Sequence, residues 1–137
     1  MARSGWIETW VTATSALIVR LATMMVLVTD ERAVNHRAGP HHPESPERLE
    51  AVLRATRSGA VRDGIVRLEP RAATPTELAR VHDASMLAAL DSVRGRSVQL
   101  DPDTAVSPES IDIAERGAGA GLTAVDALRE GVGSAAF

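Results

Sequence analysis

Three of the four histidines lie close together in one polar stretch, as His36, His41 and His42. Imidazole nitrogens are common metal ligands, so this spacing raises the question of a metal site. Adjacent histidines rarely bind one ion together, however, and no carboxylate spacing completes a ligand set. We therefore predict no metal site but a loop that forms the wall of a pocket, with His42, Pro43 and Glu44 fixing its turn.

The composition narrows the kind of protein that could use such a loop. The chain has 137 residues, a hydrophobic fraction of 45% and a formal net charge of −3. This length and apolar content suit one domain with a real core. The mild acidity argues against binding to nucleic acid or to a membrane surface, since both usually need a concentrated basic patch.

Two residue types that carry chemistry are absent from the sequence. The lack of cysteine excludes disulfides, thiolate metal sites and a cysteine nucleophile, and we expect a reducing, cytoplasmic location. There is also no tyrosine, so no step that requires a phenol can be assigned to this chain.

The first 24 residues do not fit the pattern of the rest. Their apolar run from Ala16 to Val19 is broken by Arg20. A membrane span needs roughly 20 apolar residues, and a signal peptide needs a longer uninterrupted apolar core. We interpret residues 1–24 as an extension outside the fold, either disordered or the product of a misplaced start codon, and residues 25–137 as the folded part.

The elements that would position the polar loop follow this extension. The apolar run Val26–Thr29 predicts a buried strand, and the loop occupies residues 31–45. Weaker patterns predict a second strand at Ile65–Leu68 and the start of a third over residues 134–137.

Capping residues mark the predicted helix starts. These are Ser45-Pro46, Thr74-Pro75-Thr76-Glu77 with a complete capping box, Asp83, and Ser107-Pro108-Glu109. Gly59 is expected to end the first of these helices. Residues 95–106 are expected to form a loop.

The last helix is the longest, and its apolar residues predict the face that packs on the core. That face consists of Ile111, Ala114, Ala118, Leu122, Val125 and Leu128. The helix also contains Gly117, Gly119 and Gly121, each of which costs about 1 kcal/mol relative to alanine. Close packing would explain one or two of them, whereas three indicate a tight contact or a weakened helix.

Strands that alternate with helices predict a parallel sheet covered on both faces. One clear strand, one weak strand and one stub are too few to complete such a sheet. We therefore expect an α/β chain that is mostly helical and is a piece of a larger domain.

Three ordered motifs resemble a known family, the histone deacetylase and acetoin-utilisation-like zinc amidohydrolases. Residues 39–44 are similar to the family's Gly-Pro-x-His-Pro-Glu loop, which an arginine-leucine helix start follows. Residues 76–83 end in Val-His-Asp, and residues 103–108 read Asp-Thr-x-x-Ser-Pro, as in that family. The resemblance covers residues 25–137 and implies the N-terminal portion of a three-layer α/β/α arginase-deacetylase fold.

Two segments depart from the family pattern, and the glycines of the last helix are also atypical for the family. Met86 stands where the family usually has an aromatic residue, and Glu109-Ser110-Ile111 replaces the more usual Gly-Ser-Trp. We expect these changes to alter local packing.

The resemblance implies hydrolysis of an acetyl-amide on a lysine or polyamine nitrogen. In the family, two aspartates and a histidine hold a zinc ion, a histidine pair transfers protons, and a tyrosine or histidine stabilises the oxyanion. None of those segments is present in this sequence. We therefore predict no catalytic residue, no metal ligand and no cofactor in this chain, although the full-length family uses zinc.

The resemblance nevertheless assigns roles to three residues. Asp103 matches an acidic residue on the pocket rim that accepts hydrogen bonds from substrate backbone amides, and the alternative is a turn residue. Arg48 matches an arginine beside the cavity through which acetate leaves, and the alternative is a surface arginine paired with Glu44 or Glu47. His42 belongs to the same acetate channel or pocket wall.

Three functions remain open. The first is an N-terminal fragment of such an amidohydrolase, inactive alone, which meets an acetylated lysine or polyamine-type substrate only when the missing C-terminal part completes it. The second is a small interaction module that self-associates through its open sheet edge. The third is one half of a split deacetylase that binds a complementing half. Neither nucleic acid nor a membrane is an expected partner.

Overall fold

The computed structural model of the protein describes residues 24–40 and 42–137. The elements follow in the order β1 (Met25–Val28), a 3₁₀ helix (Glu31–Asn35), α1 (Pro46–Thr56), α2 (Gly59–Asp63), β2 (Ile65–Leu68), α3 (Pro75–Leu78), α4 (Ala84–Ser92), β3 (Val98–Asp101), β4 (Thr104–Val106), α5 (Ser110–Arg129) and β5 (Ala135–Ala136). Apart from Met24, the predicted extension over residues 1–24 lies outside the described residues.

The strand β1 is the centre of a three-stranded parallel sheet in the order β2-β1-β5. Val26 lies opposite Val66 on one side and Ala136 on the other. The side chain of Val26 is completely buried. A strand that is bonded on both edges and buried on both faces is expected to be continuously apolar. The three strands predicted from the sequence are therefore confirmed.

The helix α5 packs against β1 through small side chains. Val26 and Val28 form a buried cluster with Ala127, and Ala120 and Ala124 pack against that cluster. Alanines allow the helix axis to approach the sheet more closely than leucines would, so the contact is tight although each side chain is small.

The apolar face predicted for α5 is correct at Ile111 and wrong over most of its length, since Ala114 and Ala118 are also exposed. Ile111 is buried, whereas Val125 is 54% exposed and Leu128 is 36% exposed. The buried face instead includes Gly119 and Ala127. Large apolar side chains dominate a periodicity pattern, so a face made of glycine and alanine carries too weak a signal to be identified from it.

Gly119 lies where α5 crosses the segment after β2. A Cβ atom placed on Gly119 would lie 1.8 Å from the Arg71 carbonyl oxygen and 2.9 Å from the Ala73 backbone nitrogen. The Ala73 N–H donates to the Glu115 carbonyl of the same helix at 2.9 Å. Backbone therefore meets backbone at this crossing, and no side chain fits between.

The capping box predicted at Thr74 is fully formed at the start of α3. The Thr74 hydroxyl accepts from the Glu77 N–H at 3.3 Å, and the Glu77 carboxylate accepts from the Thr74 N–H at 2.8 Å. Arg71 donates two further hydrogen bonds to this carboxylate. The Arg71 guanidinium and the Thr74 donors together hold the pKa of Glu77 well below its usual range.

Other helix boundaries differ from the prediction. Ser45 and Asp83 occupy the expected N-cap positions, but neither side chain makes a capping hydrogen bond. The helix α1 ends at Thr56, and Gly59 does not end it but begins α2 with a φ of 54°. That left-handed conformation is one that glycine adopts at little cost. The last helix begins at Ser110, later than predicted.

The two segments predicted as loops both contain regular structure. Residues 95–106 hold an antiparallel hairpin in which Val98 of β3 lies opposite Val106 of β4. The alternation of Val98 and Leu100 was the available signal for a strand. Residues 31–45 begin with the 3₁₀ helix. Both short elements are stabilised by side-chain hydrogen bonds that a hydrophobicity pattern does not report.

The architecture is an α/β fold with a parallel sheet, as predicted. Within the described part of the chain, no helix is long and apolar enough to cross a membrane.

Replacing Gly119 with alanine should destabilise the fold by about 1–3 kcal/mol or more, because the backbone of the segment after β2 must move. An added Cβ at Gly117 or Gly121 meets nothing within 4 Å, so alanine there should stabilise α5 by about 1 kcal/mol. Urea denaturation of the three variants measures both effects. Equal effects at all three positions would contradict the close crossing at Gly119.

Candidate functional site

The carboxyl ends of β1 and β2 lie at the same end of the parallel sheet, which is where ligands of open α/β sheets commonly bind. Asp30 directly follows β1. Its carboxylate accepts from the Arg32 backbone N–H at 3.0 Å and from Arg32 Nε and Nη2 at 2.9 and 2.8 Å, and Arg116 Nε lies 3.5 Å away. Burial opposes ionisation of Asp30, but the Arg32 hydrogen bonds and the two guanidinium charges outweigh it. The pKa of Asp30 therefore lies below its usual value.

His36, which follows the 3₁₀ helix, is tied to two buried serines beside the start of α5. Its Nδ1 lies 2.7 Å from Ser110 Oγ, which lies 2.9 Å from Ser107 Oγ and accepts from the Ser107 N–H at 2.8 Å. The Ser107 hydroxyl is also within 3.3 Å of the Asn35 carbonyl and 3.2 Å of the Arg37 N–H. We call His36, Ser107 and Ser110 the loop lock, since they hold the polar loop against α5.

The contact between His36 and Ser110 raises the question of nucleophilic catalysis. Glu44 Oε2 lies 3.9 Å from His36 Nε2, so the three side chains follow the order serine, histidine, carboxylate. A hydroxyl offers one donor and two acceptor positions, and Ser110 Oγ already has three partners. No lone pair is left for an incoming carbonyl. The loop lock is therefore a structural device and not a nucleophile with its base.

The loop lock was not found from the sequence. Ser107 was expected only as part of a helix start, and Ser110 only as part of a departure from the family pattern. The hydrogen bond from the Ser107 N–H to Ser110 Oγ is one half of a capping box, so the serine spacing in Ser107-Pro108-Glu109-Ser110 was the available signal.

His42 and Arg48 hold the turn between the loop and α1. His42 Nδ1 accepts from the Glu44 N–H at 3.1 Å. Arg48 Nη1 donates to the Pro43 carbonyl at 3.1 Å, so its contact in the described chain is with a carbonyl and not with the carboxylate of Glu44 or Glu47. His42 lines a cleft of about 560 Å³ together with Arg37, Pro40, Ser45, Pro46 and Glu47.

Asp103 lies at the tip of the hairpin, but Asp101 makes the hydrogen bonds of the turn. The Asp101 carboxylate accepts from the Asp103 N–H at 2.8 Å and from the Thr104 hydroxyl at 2.9 Å. These two donors lower the pKa of Asp101. The Asp103 side chain is exposed, and its carboxylate accepts no hydrogen bond from the residues that the structure describes.

A larger cavity of about 750 Å³ lies between α3, α4, the hairpin and α5, and His36, Glu44 and Ser110 are among its polar lining residues. His42 lines the smaller cleft, whereas Asp103 and Arg48 line neither of these two. The described residues therefore do not bring Asp103, Arg48 and His42 into one cavity.

The zinc ion that the resemblance implies needs at least three histidine or carboxylate ligands from the protein. Among residues 24–40 and 42–137, no group of three or more such side chains could hold a metal ion. The donor set described here therefore does not fit a zinc site, and His41 lies outside it.

Comparisons with known proteins identify relatives of this chain. A family profile described as Histone deacetylase domain matches residues 42–137. The uncharacterized protein slr0245 of Synechocystis sp. is 33% identical over 109 residues, which cover 75% of this chain and 35% of that protein. The crystal structure of the HDA15 HD domain is similar with a TM-score of 0.74 and 25% identity, covering 84% of this chain and 34% of that one. The chain thus spans about a third of the length of each.

The Asp30→Asn variant should lose about 2 kcal/mol of stability at neutral pH, because hydrogen bonds to an ionised group are replaced by weaker ones. The pKa of Asp30 is lowered in the folded chain, so its contribution is complete above the ordinary value of 3.8 and is lost as the pH falls through the lowered value. Thermal unfolding is measured from pH 7 down to about pH 2. The unfolding midpoints of the wild type and the variant should become equal only in strong acid.

The matched control is Asp63→Asn. Asp63 is an exposed aspartate that pairs only with its neighbour Arg62 within the described chain, and such pairs contribute little. The Asp63→Asn variant should have the same unfolding midpoint as the wild type at every pH. If Asp30→Asn lowers the stability by the same amount at pH 7 and pH 2, the lowered pKa of Asp30 is contradicted.

Proposed function

Because the chain belongs to the histone deacetylase domain family, we propose that it forms part of the substrate-binding wall of a zinc-dependent amidohydrolase. The substrate class is an acetyl-amide on a lysine or polyamine nitrogen. The observation that carries this proposal is the uncommitted carboxylate of Asp103, in the Asp-Thr-x-x-Ser-Pro motif at the tip of the hairpin.

The proposed role of Asp103 is to accept hydrogen bonds from substrate amides beside the acetylated nitrogen. An ionised carboxylate is an acceptor-only group that can take two N–H donors at once. The hydrogen bonds of the hairpin support this role. The Asp101 carboxylate accepts from the donors of the turn, and the Asp103 carboxylate therefore stays available to a ligand.

The proposed role of Arg48 is to meet the carboxylate product. A guanidinium has five N–H donors, and one of them is used by the Pro43 carbonyl. The others can bind the acetate that hydrolysis of an acetyl-amide releases. His42 is a positioning residue in this proposal, because its bond from the Glu44 N–H keeps the turn that presents Arg48.

Zinc supplies Lewis-acid activation of the carbonyl and of water in such enzymes. The described residues contain no set that fits it. We therefore propose that residues 25–137 act as the N-terminal portion of a larger catalytic domain and do not hydrolyse acetyl-amides by themselves. A reducing, cytoplasmic setting agrees with the cysteine-free sequence.

The test places this wall in the context of a complete relative. A fusion in which residues 25–137 replace the matched part of the Synechocystis protein is assayed with an acetyl-lysine peptide and an acetylated diamine. The fusion should hydrolyse at least one of them. Asp103→Ala should lower kcat/KM by about tenfold to a hundredfold, because hydrogen bonds to a charged acceptor are lost in the bound state.

Asp63→Ala serves as the matched control. It removes an exposed aspartate that precedes β2 and so lies at the amino ends of the strands. Its kcat/KM should equal that of the parent fusion. A folded, zinc-loaded fusion without activity on both substrates would contradict the proposed function. An active fusion that is indifferent to Asp103→Ala would contradict the role of this residue alone.

A further inference from the structure

The cavity between α3, α4, the hairpin and α5 has the dimensions of a small-molecule site. Its volume is about 750 Å³, within the range of roughly 300–1,000 Å³ that such sites occupy. Its walls include Leu78, Met86, Leu90 and Ile111. Met86 is 47% exposed, so a large apolar side chain faces open space there. Leu100 of the lining is also 45% exposed, so the space is an open cleft that a ligand can enter from solvent.

One residue from each of the two segments that depart from the family pattern lines this cavity. Met86 stands in place of an aromatic residue, and Ile111 stands in place of a tryptophan. Aromatic rings at these two positions would be bulkier than methionine and isoleucine and would narrow this space. The two replacements lie in different elements, α4 and α5, yet both line the same volume.

The charged groups of the lining favour a cation. Three carboxylates line the cavity, those of Glu44, Asp91 and Glu115, against one guanidinium, that of Arg94, and the imidazoles of His36 and His82. Arg94 is itself fully engaged, since it donates to Glu115 at 2.6 Å, to Asp91 at 2.9 Å and to Asp112. These partners raise the pKa of Arg94. Asp91 and Glu115 are the partners of Arg94, so Glu44 is the lining carboxylate that no arginine pairs with in the described chain. The carboxylates outnumber the guanidinium, and this excess of negative charge attracts a cation.

We propose that this cavity binds a small organic cation with an apolar body, an arylalkyl- or alkylammonium ion. The apolar body packs against Met86 and Ile111, and the ammonium group lies beside the lining carboxylates. The proposal does not depend on the proposed deacetylase role, because it requires no metal and no hydrolysis.

Three probes with the same indole body and different charges test the proposal on the full chain. Tryptamine is a cation, tryptophol is neutral and indole-3-propionate is an anion at pH 8. Calorimetric titration should give the tightest binding for tryptamine, about fivefold tighter than for tryptophol, and the weakest for the anion. Equal affinities, a preference for the anion, or no binding of tryptamine would overturn the proposal.

Filling the cavity gives the matched test. Ile111→Trp and Met86→Phe should each weaken tryptamine binding about tenfold or more while the midpoint of thermal unfolding is kept or raised. Val125→Phe is the control, since Val125 is exposed on α5 and does not line the cavity. It should bind tryptamine as the wild type does. Unchanged binding by the filled variants would overturn the proposal.

The charge variant separates the ammonium contact from the apolar contact. The double variant Glu44→Gln, Asp91→Asn should lose the preference for tryptamine over tryptophol and keep its affinity for tryptophol. A preference that persists would overturn the proposal. So would a chain without a cooperative thermal transition at saturating tryptamine. A dimer that Ile111→Trp dissociates and tryptamine does not would show that a second copy fills the cavity, and would overturn it as well.

Discussion

A four-residue strand that is bonded on both edges is the constraint on which the rest of the structure depends. The Val28 N–H donates to the Phe137 carbonyl at 2.9 Å, and the Thr29 N–H donates to the Leu68 carbonyl at 3.0 Å. Val26 is completely buried. A strand this short contributes few apolar side chains, so α5 must lie close to it to exclude water. The small face of α5 and the crossing at Gly119 are consequences of that requirement.

The same helix also places the polar groups after β1. Arg116 of α5 lies 3.5 Å from the Asp30 carboxylate and donates to the Pro70 carbonyl at 2.8 Å, so it joins the carboxyl ends of β1 and β2. Ser110, the first residue of α5, makes a hydrogen bond with His36. The loop after β1 is thus fastened at two points of one helix. The turn that contains His42, and to which Arg48 of α1 donates a hydrogen bond, follows these two contacts along the chain.

Much of the fold was predictable because its signals are local. The apolar run of β1, the capping box at Thr74 and the family motifs are each contained within a few neighbouring residues, and the structure has the first two where they were predicted. The loop lock was not predictable in this way, since His36 and Ser110 are separated by 74 positions. The face of α5 was misjudged because close approach selects glycine and alanine, which hydropathy patterns weigh little.

The candidate site, too, could be predicted from local sequence patterns only in part. The roles of Asp103, Arg48 and His42 come from the resemblance and remain predictions, since sequence spacing alone could not separate a turn aspartate from a binding aspartate. The distinction needs side-chain geometry. Asp101 accepts both hydrogen bonds of the turn, and this leaves the carboxylate of Asp103 uncommitted in the described chain.

Native-state hydrogen exchange tests the central claim most directly, because it ranks the free energies of local opening. If β1 is the constraint, the amides of Val28 and Thr29 should exchange only through global unfolding and be among the slowest in the chain. The first is bonded to Phe137, directly after β5, and the second to Leu68 of β2. The amides of the hairpin Val98–Val106 should exchange faster, through local opening. Hairpin amides that are protected as strongly as those of Val28 and Thr29, or more strongly, would contradict the account.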